Sequence, residues 1–336
     1  FMQYMNGFES FEILDFGFSN SATRPFTHYW FRFPNDMMKP LMGGNYLVQV
    51  FPTDQPEETV FQRRLLVVDP SLGINAMVRS ASSTRQRLSH QEVVFDLNLE
   101  FLNIQDQHED IFVAILQNDR WDNAIIDLKP RYAEANVLHY DHVNGDNAFP
   151  GGNQYRLLDL KSLMVMRDPV MAFQTIDGQF HARLRPELPR VQRAYSDLPD
   201  INGACIYHLQ ENYTQTMDED YIQVHFLLDA GQRYPDGEVY LIGALSNGQL
   251  DDRFRLRFDE ANNIYYLSVP MKQGLYNYMY GFKANGSNSA DLSPIEGSHS
   301  ETENKYTILV YVRGVGDIAH RLVGYTELNS RTDRDR

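Results

Sequence analysis

An all-β chain of tandem sandwich modules with little helix is what this sequence predicts, and three observations carry the prediction. Tyr and Phe number 20 each, and 21 Gly with 15 Pro punctuate the chain, a composition that favours strands and turns. Apolar residues recur with a period of two in many short runs, the spacing of a half-buried strand. At 336 residues the length exceeds what one core usually serves and suggests two or three units.

The elements follow in order. Between Thr27 and Phe33, Tyr29, Phe31 and Phe33 alternate with polar neighbours and are read as the core face of a strand that Pro34 ends. Gly43-Gly44-Asn45 reads as a turn, with strands at Tyr46 to Phe51 and Phe61 to Val68. Three or four strands make a thin sandwich, so residues 1–70 are expected to be a partial N-terminal module whose preceding strands lie upstream. The opening Phe1-Met2-Gln3-Tyr4 has neither a basic nor an apolar leader region, so the start reads as a processed terminus or a cut inside a longer protein.

Asp69-Pro70-Ser71-Leu72-Gly73 marks a boundary, and a central sandwich is expected over 71–195. Its strongest strand alternates Val93, Phe95, Leu97, Leu99 and Phe101 with Glu92, Val94, Asp96, Asn98 and Glu100, which leaves one face wet. Ile111 to Leu116 is apolar throughout, the mark of a central strand covered on both faces. Pro186, Pro189 and Pro199 place the second boundary between Arg183 and Asp200. A third module is expected over 196–330, with strands through Ile222 to Leu228, Val239 to Ile242, Phe254 to Phe258, Ile264 to Val269 and Tyr276 to Phe282, and with Lys305 to Val312 closing the set. Seven or so short strands argue for an immunoglobulin-like sandwich. The tail Ser330 to Arg336 is polar and is expected to fray.

A formal charge of −15 repels phosphates and anionic headgroups, so nucleic acid is not an expected partner. No apolar run reaches the roughly 18 residues of a membrane helix, and direct membrane insertion is not expected. Cys205 is the single cysteine and reads as a small buried apolar residue. Asp218-Glu219-Asp220 reads as a solvated loop rather than a catalytic or calcium cluster. His299, Glu301 and Glu303 share a face if extended, yet a polar strand edge explains them better than a metal site. G-x-S-x-G, H-E-x-x-H and P-loop motifs are absent, so no catalytic residue and no cofactor is expected.

Several stretches carry a family resemblance: Gln117 to Ile125 with Phe149-Pro150-Gly151-Gly152-Asn153; Lys272 to Tyr278; and Glu296 to His299 through Thr302-Glu303-Asn304 with Tyr306 to Tyr311. Pro25 to Tyr29, Gly316-Asp317 and Arg321 to Gly324 extend it over nearly the whole chain. The sequence resembles the plug protein of the type IX secretion system. That resemblance implies a non-catalytic periplasmic protein that closes the inner mouth of a large outer-membrane β-barrel translocon. Glu238 to Asn247, Pro270 to Gly274 and Tyr276-Asn277-Tyr278 are also similar to glycogen-binding early-set domains. Gly248 and Gln249 stand where those domains place a stacking Trp, so this likeness speaks for fold more than for ligand.

Two functions follow. The first is a plug or adaptor that docks on the translocon, with Arg120, Trp121 and Phe149 as anchors, because Arg and aromatic side chains dominate protein interfaces and Trp121 sits in a polar turn after the central strand. The alternative is an extracytoplasmic glycan-binding protein that uses the early-set module and the face shared by Tyr276, Tyr278 and Tyr280.

Overall fold

The computed structural model describes residues 3–20, 22–100, 102, 104–207, 219–314 and 316–333. Six strands come first: β1 (Met5–Gly7), β2 (Phe16–Phe18), β3 (Thr27–Tyr29), β4 (Met38–Pro40), β5 (Gly44–Val50) and β6 (Phe61–Val67). They pair antiparallel as β1 with β4, β2 with β3 and β5 with β6, and no sheet of this region has a third strand among the described residues. A two-stranded ribbon cannot enclose a core of its own. Tyr29 and Phe31, expected inside, are accordingly exposed.

The chain continues through β7 (Gly73–Ser80), β8 (His90–Asn98), β9 (Ile111–Gln117), β10 (Arg120–Ile126), β11 (Tyr132–Glu134), β12 (Val137–His139) and β13 (Ala148–Pro150). Then come β14 (Arg156–Asp159), β15 (Val170–Ile176), β16 (Gln179–Leu184), β17 (Cys205–Ile206), β18 (Tyr221–Leu228), β19 (Gly237–Ile242), β20 (Arg257–Asp259), β21 (Ile264–Lys272) and β22 (Leu275–Ala284). One turn of helix, α1 (Ser293–Glu296), precedes β23 (Lys305–Val312) and β24 (Arg321–Asn329). The all-β class with little helix holds.

In the first sandwich, β8 pairs with β7, β12 and β13 to make one sheet, and the other runs β10-β9-β23-β24. Their facing residues, among them Val93, Phe95, Leu97, Ile111, Val113, Ile115, Ile308 and Val310, form one core. β9 is covered on both sides as its unbroken apolar run requires: Ala114 and Leu116 point the other way, into a second cluster with Leu309, Tyr311 and Leu322. Phe101, read as the end of the β8 strand, lies outside the described residues.

The second sandwich sets β14, β17 and β19, all paired to β22, against β15-β16-β18-β21-β20, in which only β16 and β18 run parallel. Its core runs from Leu158 and Ala182 through Val224, Phe226 and Leu241 to Tyr278 and Tyr280. Strand pairing therefore crosses the boundary expected at 195. β14 to β16 join the later strands, while β23 and β24 return to the first sandwich instead of closing the third module. Periodicity marks a strand as core-facing but names no neighbour; β9, buried on both faces, sits between two ladders and takes β23 as one of them.

A buried charge network ties β14, β22, α1 and the segment after β16 together. Glu296 is fully buried; it accepts from Arg156 Nε at 3.0 Å, Arg190 Nε at 2.6 Å and the Tyr280 N–H at 2.9 Å. Glu187 accepts from the hydroxyls of Tyr278 and Tyr280 at 2.8 and 2.7 Å and from Arg156 Nη1 at 2.9 Å. Burial alone would raise the Glu296 pKa, but the two guanidinium charges and the hydrogen bonds to it hold it below the ordinary carboxylate value.

The segment between α1 and β23 is irregular and threads between the sandwiches. Gln91 Nε2 donates to the carbonyls of Ser300 and Thr302 at 2.8 and 2.7 Å, and Asn304 Nδ2 to that of Gly151 at 2.8 Å. Gly151 is required here, because a Cβ would lie 2.0 Å from the His299 carbonyl oxygen. The tail is tied rather than frayed as far as it is described: Ser330 is buried and donates to the Thr302 carbonyl at 2.9 Å, and residues 334–336 lie outside the described set.

Candidate functional site

Large exposed apolar residues mark where a chain meets a partner, provided they cluster. Among the described residues, every exposed Phe and Trp falls in the first 69: Phe8, Phe16, Phe18, Trp30, Phe31 and Phe61. The β2–β3 ribbon concentrates them. Its register sets Phe16 opposite Tyr29, and because side chains two apart share a face, Phe18 joins them. Phe16 meets Phe18 edge to face at 5.6 Å between ring centroids and Tyr29 at 5.8 Å. Phe18 is 67% exposed and Tyr29 60%. His28 and Trp30 form a second pair at 5.7 Å, and Phe11 with Phe31 a third at 6.0 Å.

This surface is held in place at both ends. The β2–β3 connection docks on the second sandwich: Asp220 accepts from the N–H groups of Thr23 and Arg24 at 2.9 and 3.3 Å, Phe26 meets Tyr221 at 5.7 Å, and Lys272 Nζ lies 4.5 Å from the Phe26 ring centre. The β5–β6 ribbon lies on the outer face of the first sandwich, where Leu66 and Val68 pack with Leu322 and Trp121. Tyr311 donates to Asn45 Oδ1 at 2.8 Å. Gly43 permits the closest approach: a Cβ there would stand 2.5 Å from the Leu322 carbonyl oxygen. Tyr46 donates to the Met42 carbonyl at 2.8 Å, and burial raises its pKa above the ordinary phenol value. The surface offers contact area.

The three residues expected to anchor a partner are placed differently. Arg120, 3% exposed, pairs with Asp122 at 2.7 Å and donates to the Ala290 carbonyl at 2.7 Å, while Asp122 accepts from the Ala290 N–H at 3.0 Å. It anchors an interface, but an internal one, between the two sandwiches. Phe149 is buried in the first core. Trp121 is half-buried beneath Arg64, whose guanidinium carbon stands 4.1 Å from the ring centre. Arg120 and Phe149 thus present no surface to a partner, and Trp121 is largely taken by the first 69 residues of its own chain.

Other expectations change as well. Glu219 and Asp220 are buried rather than solvated, with Lys272 Nζ 3.3 Å from Glu219; Asp218 lies outside the described residues. Asp220 is placed by the docking of the first region on its carboxylate, which periodicity does not reveal. Cys205 is half-buried at the edge of the second core. His299 packs on Tyr195 at 5.6 Å, and Glu303 accepts from Asn329 at 2.7 Å and pairs with Arg331 at 3.3 Å, in a loop and not on an extended edge. Among the described residues no group of three or more His, Cys, Asp or Glu is arranged to hold a metal ion, and no helix is long and apolar enough to cross a membrane. The tyrosine face considered for glycans is core: Tyr276, Tyr278 and Tyr280 are all buried.

The aromatic surface itself escaped the sequence reading because exposed and buried alternation look the same. The signal was present in the thinness of the first module and in the spacing of Gly, Pro and Ser, which leaves only three-residue strands at β1 to β4.

Comparison with known proteins points to the same region. A family model described as Type 9 secretion system plug protein 1st domain matches residues 1–69. The crystal structure of a hypothetical protein from Parabacteroides merdae superposes with a TM-score of 0.94 at 32% identity, covering 98% of this chain and 82% of that one. No curated protein matches the chain.

Proposed function

Because the chain belongs to the type 9 secretion system plug protein family, we propose that it is a non-catalytic plug or adaptor that docks on the outer-membrane translocon of that system from the periplasmic side. The observation that carries this reading is the coincidence of two boundaries. The segment matched by the plug protein 1st domain is the same segment that holds every exposed Phe and Trp among the described residues.

A docking surface needs roughly 800 Å² on each partner and a few aromatic or Arg anchors. The β2–β3 ribbon supplies Phe16, Phe18, Tyr29 and Trp30 for that purpose, and the two sandwiches behind it act as a rigid mount. Because the ribbon is pinned through Asp220 and Tyr221, little ordering remains to be done on binding, which favours affinity. No observation favours the glycan reading, since its tyrosine face lies in the core.

The test is affinity purification of the full-length protein from outer-membrane extracts, run beside a variant carrying Phe16→Ala, Phe18→Ala and Tyr29→Ala. The wild type is expected to bring down a very large barrel protein and the triple variant to lose it. Recovery of no barrel protein with the wild type would overturn the proposal. In planar bilayers, adding the protein to purified translocon should lower conductance.

A further inference from the structure

β15 ends its sheet and pairs through β16 alone. The turn between them is two residues, Asp177 and Gly178, both at positive φ (50° and 76°), which makes Ile176 and Gln179 the first hydrogen-bonded pair of the hairpin. Alternation then aims the backbone of Gln174 and Ala172 at β16, and the N–H and C=O groups of Phe173 and Thr175 away from it. No described residue outside the hairpin makes a backbone hydrogen bond to residues 171–176.

Proteins usually guard such an edge with charge, proline or a covering segment. Among the described strands of seven or more residues that end a sheet, β6 carries Arg63 and Arg64, β7 Arg79, β10 Arg120 and Asp122, and β24 Arg321 and Glu327. Only β5 and β15 carry none, and β5 belongs to the surface already described. Met171 within β15 is 60% exposed, and Met164 and Met166 in the segment that leads into the strand are 89% and 59% exposed. Methionine is the side chain that adapts best to varied apolar contacts.

We propose that the free edge of β15 takes up an extended, uncharged segment of another polypeptide as an added strand, with Met164, Met166 and Met171 contacting its side chains. The outward N–H and C=O groups define the occupant, since only another backbone offers donors and acceptors at the spacing of a strand. Charge disfavours a second copy, because each chain carries a net −15. The site is independent of the aromatic surface, so either proposal can fail alone.

The probe is a blocked, uncharged decapeptide of alternating valine and threonine with a glutamine at each end, added to the full chain. Amide hydrogen exchange in a fragment covering 170–177 should slow at least tenfold, and labelled peptide should show saturable binding. Thr175→Pro removes one outward N–H and no bond to β16, so it should abolish binding while leaving the unfolding midpoint in place. Met171→Lys, which sets a charge beside the edge, should weaken binding about tenfold and serves if the proline variant fails to fold. Exchange unchanged by the peptide, or binding unaffected by both variants, overturns the proposal. So does a concentration-dependent dimer that Thr175→Pro dissociates, since the occupant would then be a second copy.

Discussion

Tyr278 and Phe18 both lie on strands that alternate aromatic residues with small or polar ones, yet one is fully buried and the other 67% exposed. β22 has partners on both sides and an opposing sheet, and the hydroxyls of Tyr278 and Tyr280 end on Glu187. β2 has one partner, three residues long, and its rings stay 49% (Phe16) and 67% (Phe18) exposed. The same side-chain chemistry is spent on stability in the sandwiches and kept available for contact in the first 69 residues. The two regions should therefore respond to mutation in opposite ways.

The largest effect is expected at Glu296. Alanine there leaves Arg190 without its counter-charge and Arg156 with Glu187 alone, in a buried site. The expected loss is about 3–5 kcal/mol, read from the denaturant midpoint. Its pH dependence has a fixed sign. The folded-state pKa lies below the ordinary value, so the unfolded chain binds more protons, and the stabilisation is present at neutral pH and lost as pH falls through the folded value. Acid unfolding of the wild type should steepen below the ordinary carboxylate range, and that steepening should be absent in Glu296→Ala.

Arg120→Ala comes next. It strands Asp122 and releases the carbonyl of Ala290, with an expected cost of about 1.5–3 kcal/mol, the range for hydrogen bonds to charged groups. Because the contact joins the two sandwiches, faster amide exchange around Ala290 should accompany the lower midpoint. Unchanged exchange there would mean that the sandwiches are held elsewhere. At the rim, Arg64→Ala removes a cation–π contact with half-buried Trp121 and should cost about 0.5–1 kcal/mol, detectable as a blue or red shift of Trp121 emission even where the midpoint barely moves.

Much of this architecture was legible in the sequence. Ile111 to Leu116 announced a strand covered on both faces, and it is one. The alternation of Val93, Phe95 and Leu97 gave the right inward face for β8. What the sequence could not give was pairing at long range: β23 looks like any buried strand, and only the bonds from Tyr306 to Gln117 and from Val312 to Ile111 show which sandwich it completes. The same gap explains the anchors. Arg120 was expected to anchor an external partner, but it is buried and bonds to Asp122 and Ala290 of the same chain. Glu219 and Asp220 looked solvated because the segment that buries Asp220, around Thr23 and Arg24, lies at the other end of the sequence.

The smallest effect on stability is expected at Phe18, and it separates the two regions most sharply. Phe18→Ala removes a ring that is 67% exposed and whose one ring contact among the described residues is Phe16 at 5.6 Å. A surface change of this kind should stay within about 0.5 kcal/mol of wild type. A buried aromatic such as Phe149, truncated the same way, should cost about 3–5 kcal/mol. Binding should rank the two in reverse. Phe18→Ala should weaken recovery of the translocon at full stability, because the ring is a contact and not a support. Phe149→Ala, assayed at a temperature where it stays folded, should bind as the wild type does. If instead Phe18→Ala lowers the unfolding midpoint as far as Phe149→Ala, the ring is covered in the full-length protein, and the surface on which the docking proposal rests is interior.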